Sequence, residues 1–349
     1  MSNMIWYNSV KERVLYIDYI KALGICLVIL YHCNYVPFES MFIRGMYAMC
    51  VSLFFAVNGY LMLRKEYAIR TLLIKNLKLL GVMFFWAFVS TGVYMYVNKT
   101  GTNDIAECSK TLMRSSLLIT RPECNHLWFL KTIFVLNLIN PIIYSFIRDN
   151  NKRLYYLIIL MALWTIAFVN IAISRLVNPL LEWLPAFSVL YYLLGYAALR
   201  ENRWQGKKAI WILSGVVGVC ALLQWGYNWL FMDGPMWELN VEKGWITDIV
   251  WNNYNALFIV VMTIAVCMLF QRIKWKGNRF WSYVGQYSLA IYVLQTPVQR
   301  LLEWGLPLKQ MTEIHHAYGI ILPVLTLLVS MGITWLMLTN KYSKWLVTI

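Results

Sequence analysis

The sequence predicts an all-helical integral membrane protein of about ten spans with both termini in the cytoplasm, and three observations carry that expectation. Of its 349 residues, 60% are hydrophobic and only 13% charged, more apolar matter than a soluble domain needs. Apolar runs of about twenty residues recur along the whole chain, separated by polar breaks. The cations gather in every second break.

Taken in order, the spans fall roughly at 15–36, 44–63, 71–97, 126–147, 154–173, 183–199, 209–230, 251–270, 280–302 and 318–339. The first carries Asp18, Lys21 and His32 in an otherwise apolar run. The second stops at Arg64 and Lys65, and the third is entered past Arg70, Lys75 and Lys78. The fourth opens at Asn125, His126 and Trp128 and closes before Arg148. Lys152 and Arg153 precede the fifth; the sixth is short and ends at Arg200. Lys207 and Lys208 lead into the seventh, Arg272 follows the eighth, Arg279 precedes the ninth, and Lys341 follows the tenth. No connection holds a separate folded domain, the longest being roughly 98–125 and 231–250, so residues 1–349 read as one polytopic domain. The N-terminal stretch lacks a short apolar region with a small-residue cleavage site, so the first span is expected to stay as an anchor.

A net charge of +15 would point to nucleic acid in a soluble protein. Here about twenty cations lie on one side of the ten-span arrangement and roughly nine on the other, which is the positive-inside pattern. The lipid bilayer is therefore the expected partner, and nucleic acid is not. The opposite loops hold most of the acids, among them Glu39, Asp104, Glu182, Asp233 and Glu303. Seven cysteines show no zinc-type spacing, and several sit inside spans as small apolar residues. Cys108 and Cys124 share an outer loop, where both a disulfide and separate thiols are open. His315 and His316 read as solvated loop residues, and no metal site is expected.

Charge inside a span needs a reason. At 3.6 residues per turn, Lys21 and His32 return to within about 20° of one helix face, roughly 16 Å apart along the axis, with Asp18 near that face too. Such a stripe, crossing from the cytoplasmic to the outer end of the first helix, marks a lined passage. A histidine in a span is either hydrogen-bonded to a neighbouring helix or placed to move a proton near neutral pH, and for His32 both readings are open. Lys21 either contacts an anionic or amide oxygen of a substrate or pairs with Asp18, and the two are compatible. Asn58 and Gln295 are polar within apolar runs, where interhelical hydrogen bonding and substrate contact both remain open. No phosphate-cradling glycine loop is present.

The run Asp18-Tyr19-Ile20-Lys21, ten residues and then His32 resembles the opening helix of the acyltransferase-3 family of membrane acyltransferases. Leu53-Phe54-Phe55-Ala56-Val57-Asn58-Gly59-Tyr60-Leu61 is similar to that family's Phe-Phe-x-x-Ser-Gly-Tyr stretch, with Asn58 in place of the usual serine. His126-Leu127-Trp128-Phe129-Leu130, Tyr192-Leu193-Leu194-Gly195-Tyr196 and Val284-Gly285-Gln286-Tyr287-Ser288-Leu289-Ala290-Ile291-Tyr292 resemble its later landmarks in order. Gln295 stands where members often carry a histidine; it can exchange hydrogen bonds but not shuttle protons at neutral pH.

The resemblance implies an O-acetyltransferase type of enzyme in a bacterial cytoplasmic membrane. It would move an acyl group, commonly acetyl, from cytoplasmic acyl-coenzyme A to a hydroxyl of a cell-surface or envelope polysaccharide. His32, Lys21 and Asp18 would form its catalytic stripe. Lys21, Arg70, Lys75 and Lys78 would meet the donor, and Asn125, His126, Trp128, Asn58 and Gln295 the acceptor. A transporter or flippase of a polar envelope precursor is the alternative, because polar residues in spans also mark solute pathways. No repeat relating two halves is visible to favour it.

Overall fold

A computed structural model describes residues 14–33, 46–47, 49–98, 110, 122–166, 186–200, 206–231, 256–306 and 319–348. Eleven α-helices and no strands occur among them. They are α1 (Leu15–His32), α2 (Met49–Leu63), α3 (Ile69–Asn98), α4 (Trp128–Ile147), α5 (Asn151–Ile166) and α6 (Ala186–Arg200). Then follow α7 (Lys207–Phe231), α8 (Leu257–Arg272), α9 (Arg279–Gln286), α10 (Ser288–Gly305) and α11 (Ile321–Thr339). Short 3-10 turns, Pro122–Leu127 and Lys344–Leu346, precede α4 and follow α11.

Among the described residues, five helices are long and apolar enough to cross a bilayer: α1, α3, α4, α11 and the Lys207–Gly226 part of α7. The apolar α2 and α8 are shorter. Large apolar side chains stand outward, Trp211 at 76% exposure, Ile142 at 71% and Leu77 at 68%, the surface that acyl chains cover in a multi-pass membrane protein. Each predicted span contains a helix. The predicted span near 280–302 is divided, because Asn278 caps α9 by accepting from the Phe280 and Trp281 amides, and Tyr287 (φ −104°, ψ 20°) separates α9 from α10.

Three glycines set the bundle's closest approaches. A Cβ on Gly59 would fall on the Tyr192 carbonyl, and one on Gly195 would fall on the Ala56 carbonyl, so α2 and α6 meet backbone to backbone. Gly285 likewise lets α9 close onto the Asp18 carbonyl of α1. These glycines lie in three of the stretches quoted from the sequence, and here their work is packing. On α1, Gly24 receives the Phe54 ring of α2, a Cβ there standing 2.9 Å from its edge. Asparagines join other helices: Asn76 of α3 donates to the Phe134 carbonyl (3.2 Å) and accepts from Asn137 of α4 (3.1 Å). The Tyr192 hydroxyl of α6 donates to Asn140 of α4. After α11 the chain returns to α3, where the Trp86 indole donates to the Leu346 carbonyl at 3.2 Å.

Candidate active site

Lys21 and Asp18 form an ion pair on α1, Nζ to Oδ1 3.5 Å, with the carboxylate side chain 3% exposed and the lysine 22%. Burial of that carboxylate follows from Gly285, whose missing side chain admits α9. Between the two members of the pair in sequence, Tyr19 stacks on Trp275 with centroids 4.5 Å apart and planes 16° from parallel. The Tyr19 hydroxyl donates to the Lys276 carbonyl and accepts from the Asn278 amide, both at 2.9 Å. The connection from α8 to α9 thus clamps the end of α1 that carries the pair. Arg64 and Arg272 lie within electrostatic range of Tyr16 at the same end.

His32 closes α1 and is partly exposed, its ring edge-on to Tyr31 at 5.3 Å. Its carbonyl accepts from Gln299 Nε2 of α10 at 2.8 Å, and the same amide donates to Glu303 Oε1 at 2.8 Å. His126, in the 3-10 turn, is 5% exposed. The Tyr292 hydroxyl of α10 donates to its carbonyl, and His32 and Arg300 lie within electrostatic range of its ring. Arg300 itself caps the Tyr94 ring at 4.7 Å. The fold therefore brings two histidines that the sequence separates by 94 positions (126 − 32) to one face of α10.

That turn is an interior feature. Phe129 lies 5.7 Å from Phe54, the ring seated on Gly24 at the middle of α1, and 5.4 Å from Tyr292. Trp128 packs on Phe55 (6.2 Å) and Phe187 (6.1 Å) in an aromatic cluster. Asn125 belongs to the same turn, and its side chain lies outside the described residues. Several polar atoms here are buried with no hydrogen-bond partner among the described residues: His126 Nε2, Asn58 Nδ2 and both amide atoms of Gln295. Gln295 is 0% exposed.

The cations of α3 separate. Lys75 stands over the Tyr67 ring at 4.8 Å, sharing it with Lys65 at 4.9 Å, whereas Arg70 and Lys78 are exposed. Cys124 is buried, its thiol donating to the Ala87 carbonyl at 3.3 Å and touching Thr91 Oγ1 at 3.3 Å. Cys108, His315 and His316 lie outside the described residues. Sequence reasoning missed Tyr292 and Gln299, although Tyr292, Gln295 and Gln299 recur at helical spacing and so share a face. It also missed Lys131, 9% exposed in α4, and the pair Asn137 and Asn140, whose three-residue spacing was the available signal.

A family model described as an acyltransferase domain matches residues 14–338, nearly the whole chain. The chain belongs to the acyltransferase-3 family. Neither a curated protein nor a solved structure matches it. As an acyltransferase-3 member the chain is a membrane acyltransferase, and the paired histidine segments, the Lys21–Asp18 pair and the buried polar atoms all fall inside the matched region.

Proposed function

We propose that this acyltransferase moves an acyl group, acetyl in the first instance, from cytoplasmic acyl-coenzyme A to a hydroxyl of a cell-envelope polysaccharide. In this reading the chain spans the membrane ten times with cytoplasmic termini, as its cation asymmetry suggests, and Lys21 is nearer the donor and His32 nearer the acceptor. The single observation that supports this reading most is the convergence of the His32 and His126 segments on the α10 face that carries Gln295, where His126 Nε2 and the Gln295 amide are buried without a partner among the described residues. A fold normally satisfies such atoms, and a bound substrate would do so here.

In this reading the donor phosphates meet the cytoplasmic cations: Arg70, Lys75 and Lys78 as the sequence suggests, joined by Arg64 and Arg272 beside Tyr16. The pantetheine arm passes Lys21, which offers an ammonium to one of its amide oxygens while it neutralises Asp18. The thioester then lies along the upper half of α1. His32 takes the proton of the attacking hydroxyl, or is itself acylated and passes the group on. Asn58, Asn125, His126, Trp128 and Gln295 supply polar and aromatic contacts to the reacting molecules.

Purified protein tests it by releasing free coenzyme A from acetyl-coenzyme A only when envelope polysaccharide is present, with matching acetyl ester on the glycan. Movement of a glycan precursor across vesicles without thioester consumption would favour the transporter alternative instead.

A further inference from the structure

Gln295 of α10 is a fully buried polar side chain, 0% exposed. Three residues before it, Tyr292 donates to the His126 carbonyl; four residues after it, Gln299 donates to the His32 carbonyl. Residues at those spacings share a helix face, so the Gln295 amide lies between the two histidine-bearing segments. Its neighbours on that face have partners, Tyr292 on backbone and Gln299 on backbone and Glu303, while Gln295 Nε2 and Oε1 meet none among the described residues at 0% exposure. His126 Nε2 is likewise buried and without a partner among the described residues. Pro297, two residues on, lacks the amide that would bond back to the Val293 carbonyl, which loosens the α10 ladder beside Gln295. A glutamine kept solely for packing would be better replaced by leucine, since an unsatisfied buried amide opposes folding.

We propose that Gln295 Nε2 donates a hydrogen bond to the carbonyl oxygen of the transferring acyl group and stabilises the oxyanion that forms there. This rests on the acyl-transfer reading above. When the acceptor hydroxyl attacks, a C–O bond forms and the carbonyl π pair moves onto oxygen, while the hydroxyl proton passes to the His32 imidazole. Collapse restores the C=O and breaks the C–S bond, and the leaving thiolate takes the proton. The negative charge resides on the same oxygen if His32 is acylated first, so the donor serves either route. A preorganised neutral donor in a water-poor site acts most strongly on charge that develops in the transition state.

The experiment compares wild type, Gln295→Leu, Gln295→Glu and Gln295→His in detergent, with acetyl-coenzyme A and crude envelope polysaccharide as substrates. Gln295→Leu should lower kcat by roughly 10²–10³-fold, as loss of one oxyanion donor does, with KM for acetyl-coenzyme A within about threefold of wild type. Its melting temperature should equal or exceed that of wild type, because an orphaned buried amide has been removed. Gln295→Glu should be no more active than Gln295→Leu, since a carboxylate faces the oxyanion, and Gln295→His should recover part of kcat by restoring an N–H. Gln295→Leu with wild-type kcat, or with a loss confined to KM, overturns the oxyanion role while leaving acyl transfer intact. A Gln295→Leu protein that melts well below wild type assigns the residue to packing and also overturns it. A wild type that turns over no acetyl-coenzyme A overturns the acyl-transfer reading and this role with it.

Discussion

At the scale of single residues, the Lys21–Asp18 pair separates structural from chemical demands. Asp18 is 2% exposed, so Lys21→Ala removes a counter-charge from a buried carboxylate, a change that costs about 3–5 kcal/mol where such pairs are broken. Expression of Lys21→Ala should fall, and adding Asp18→Asn should restore it. If Lys21 also meets the donor, the double variant folds as wild type by size-exclusion yet keeps a raised KM for acyl-coenzyme A. Full activity in the double variant would reduce Lys21 to a partner of Asp18. The stripe of Asp18, Lys21 and His32 was legible because charge in an apolar run is conspicuous against its background. His126 as a companion of His32 was not legible, since their approach is created by α10 through Tyr292 and Gln299, two ordinary residues in a helix whose partners only the fold supplies.

At the scale of elements, the helices were largely legible from apolar length, and their contacts were not. The landmarks around Gly59, Gly195 and Gly285 stood out as family signatures; the structure gives the physical reason, close helix crossings that tolerate no Cβ. Gly59→Ala should force α2 and α6 apart and lower stability by about 1–3 kcal/mol, the usual cost of overpacking, visible as a lower melting temperature in detergent. Combining it with Gly195→Ala should cost less than the sum, because both open the same crossing, and strict additivity would show that the two contacts are independent. The polar layer is a gentler matter. Asn137→Leu breaks its hydrogen bond to Asn76, and interhelical bonds in membranes average about 0.6 kcal/mol, so a small shift in melting with activity retained is expected. The split of the ninth span escaped the hydropathy reading, because α9 is set off by the local side-chain cap of Asn278, which an averaged window does not register.

At the scale of the whole molecule, the cation asymmetry requires the loops near 98–125 and 231–250 to face outward. A single cysteine at Asn103 in a cysteine-depleted background should label from outside intact cells, and labelling only after permeabilisation from the cytoplasmic side would reverse the proposed direction of acyl passage. The interior position of the His126 turn was not legible, since hydropathy places a helix start at the surface and only its packing through Phe129 on Phe54 and Tyr292 draws it inward. The central claim, that imidazole at His32 carries the transfer, is tested most directly by His32→Gln. This change keeps size and hydrogen bonding but removes the base. On folding-matched protein, acceptor acetylation and coenzyme A release should fall together by roughly 10²-fold or more, the scale of lost general acid–base catalysis. Acetylation at near wild-type rate by His32→Gln would contradict the account.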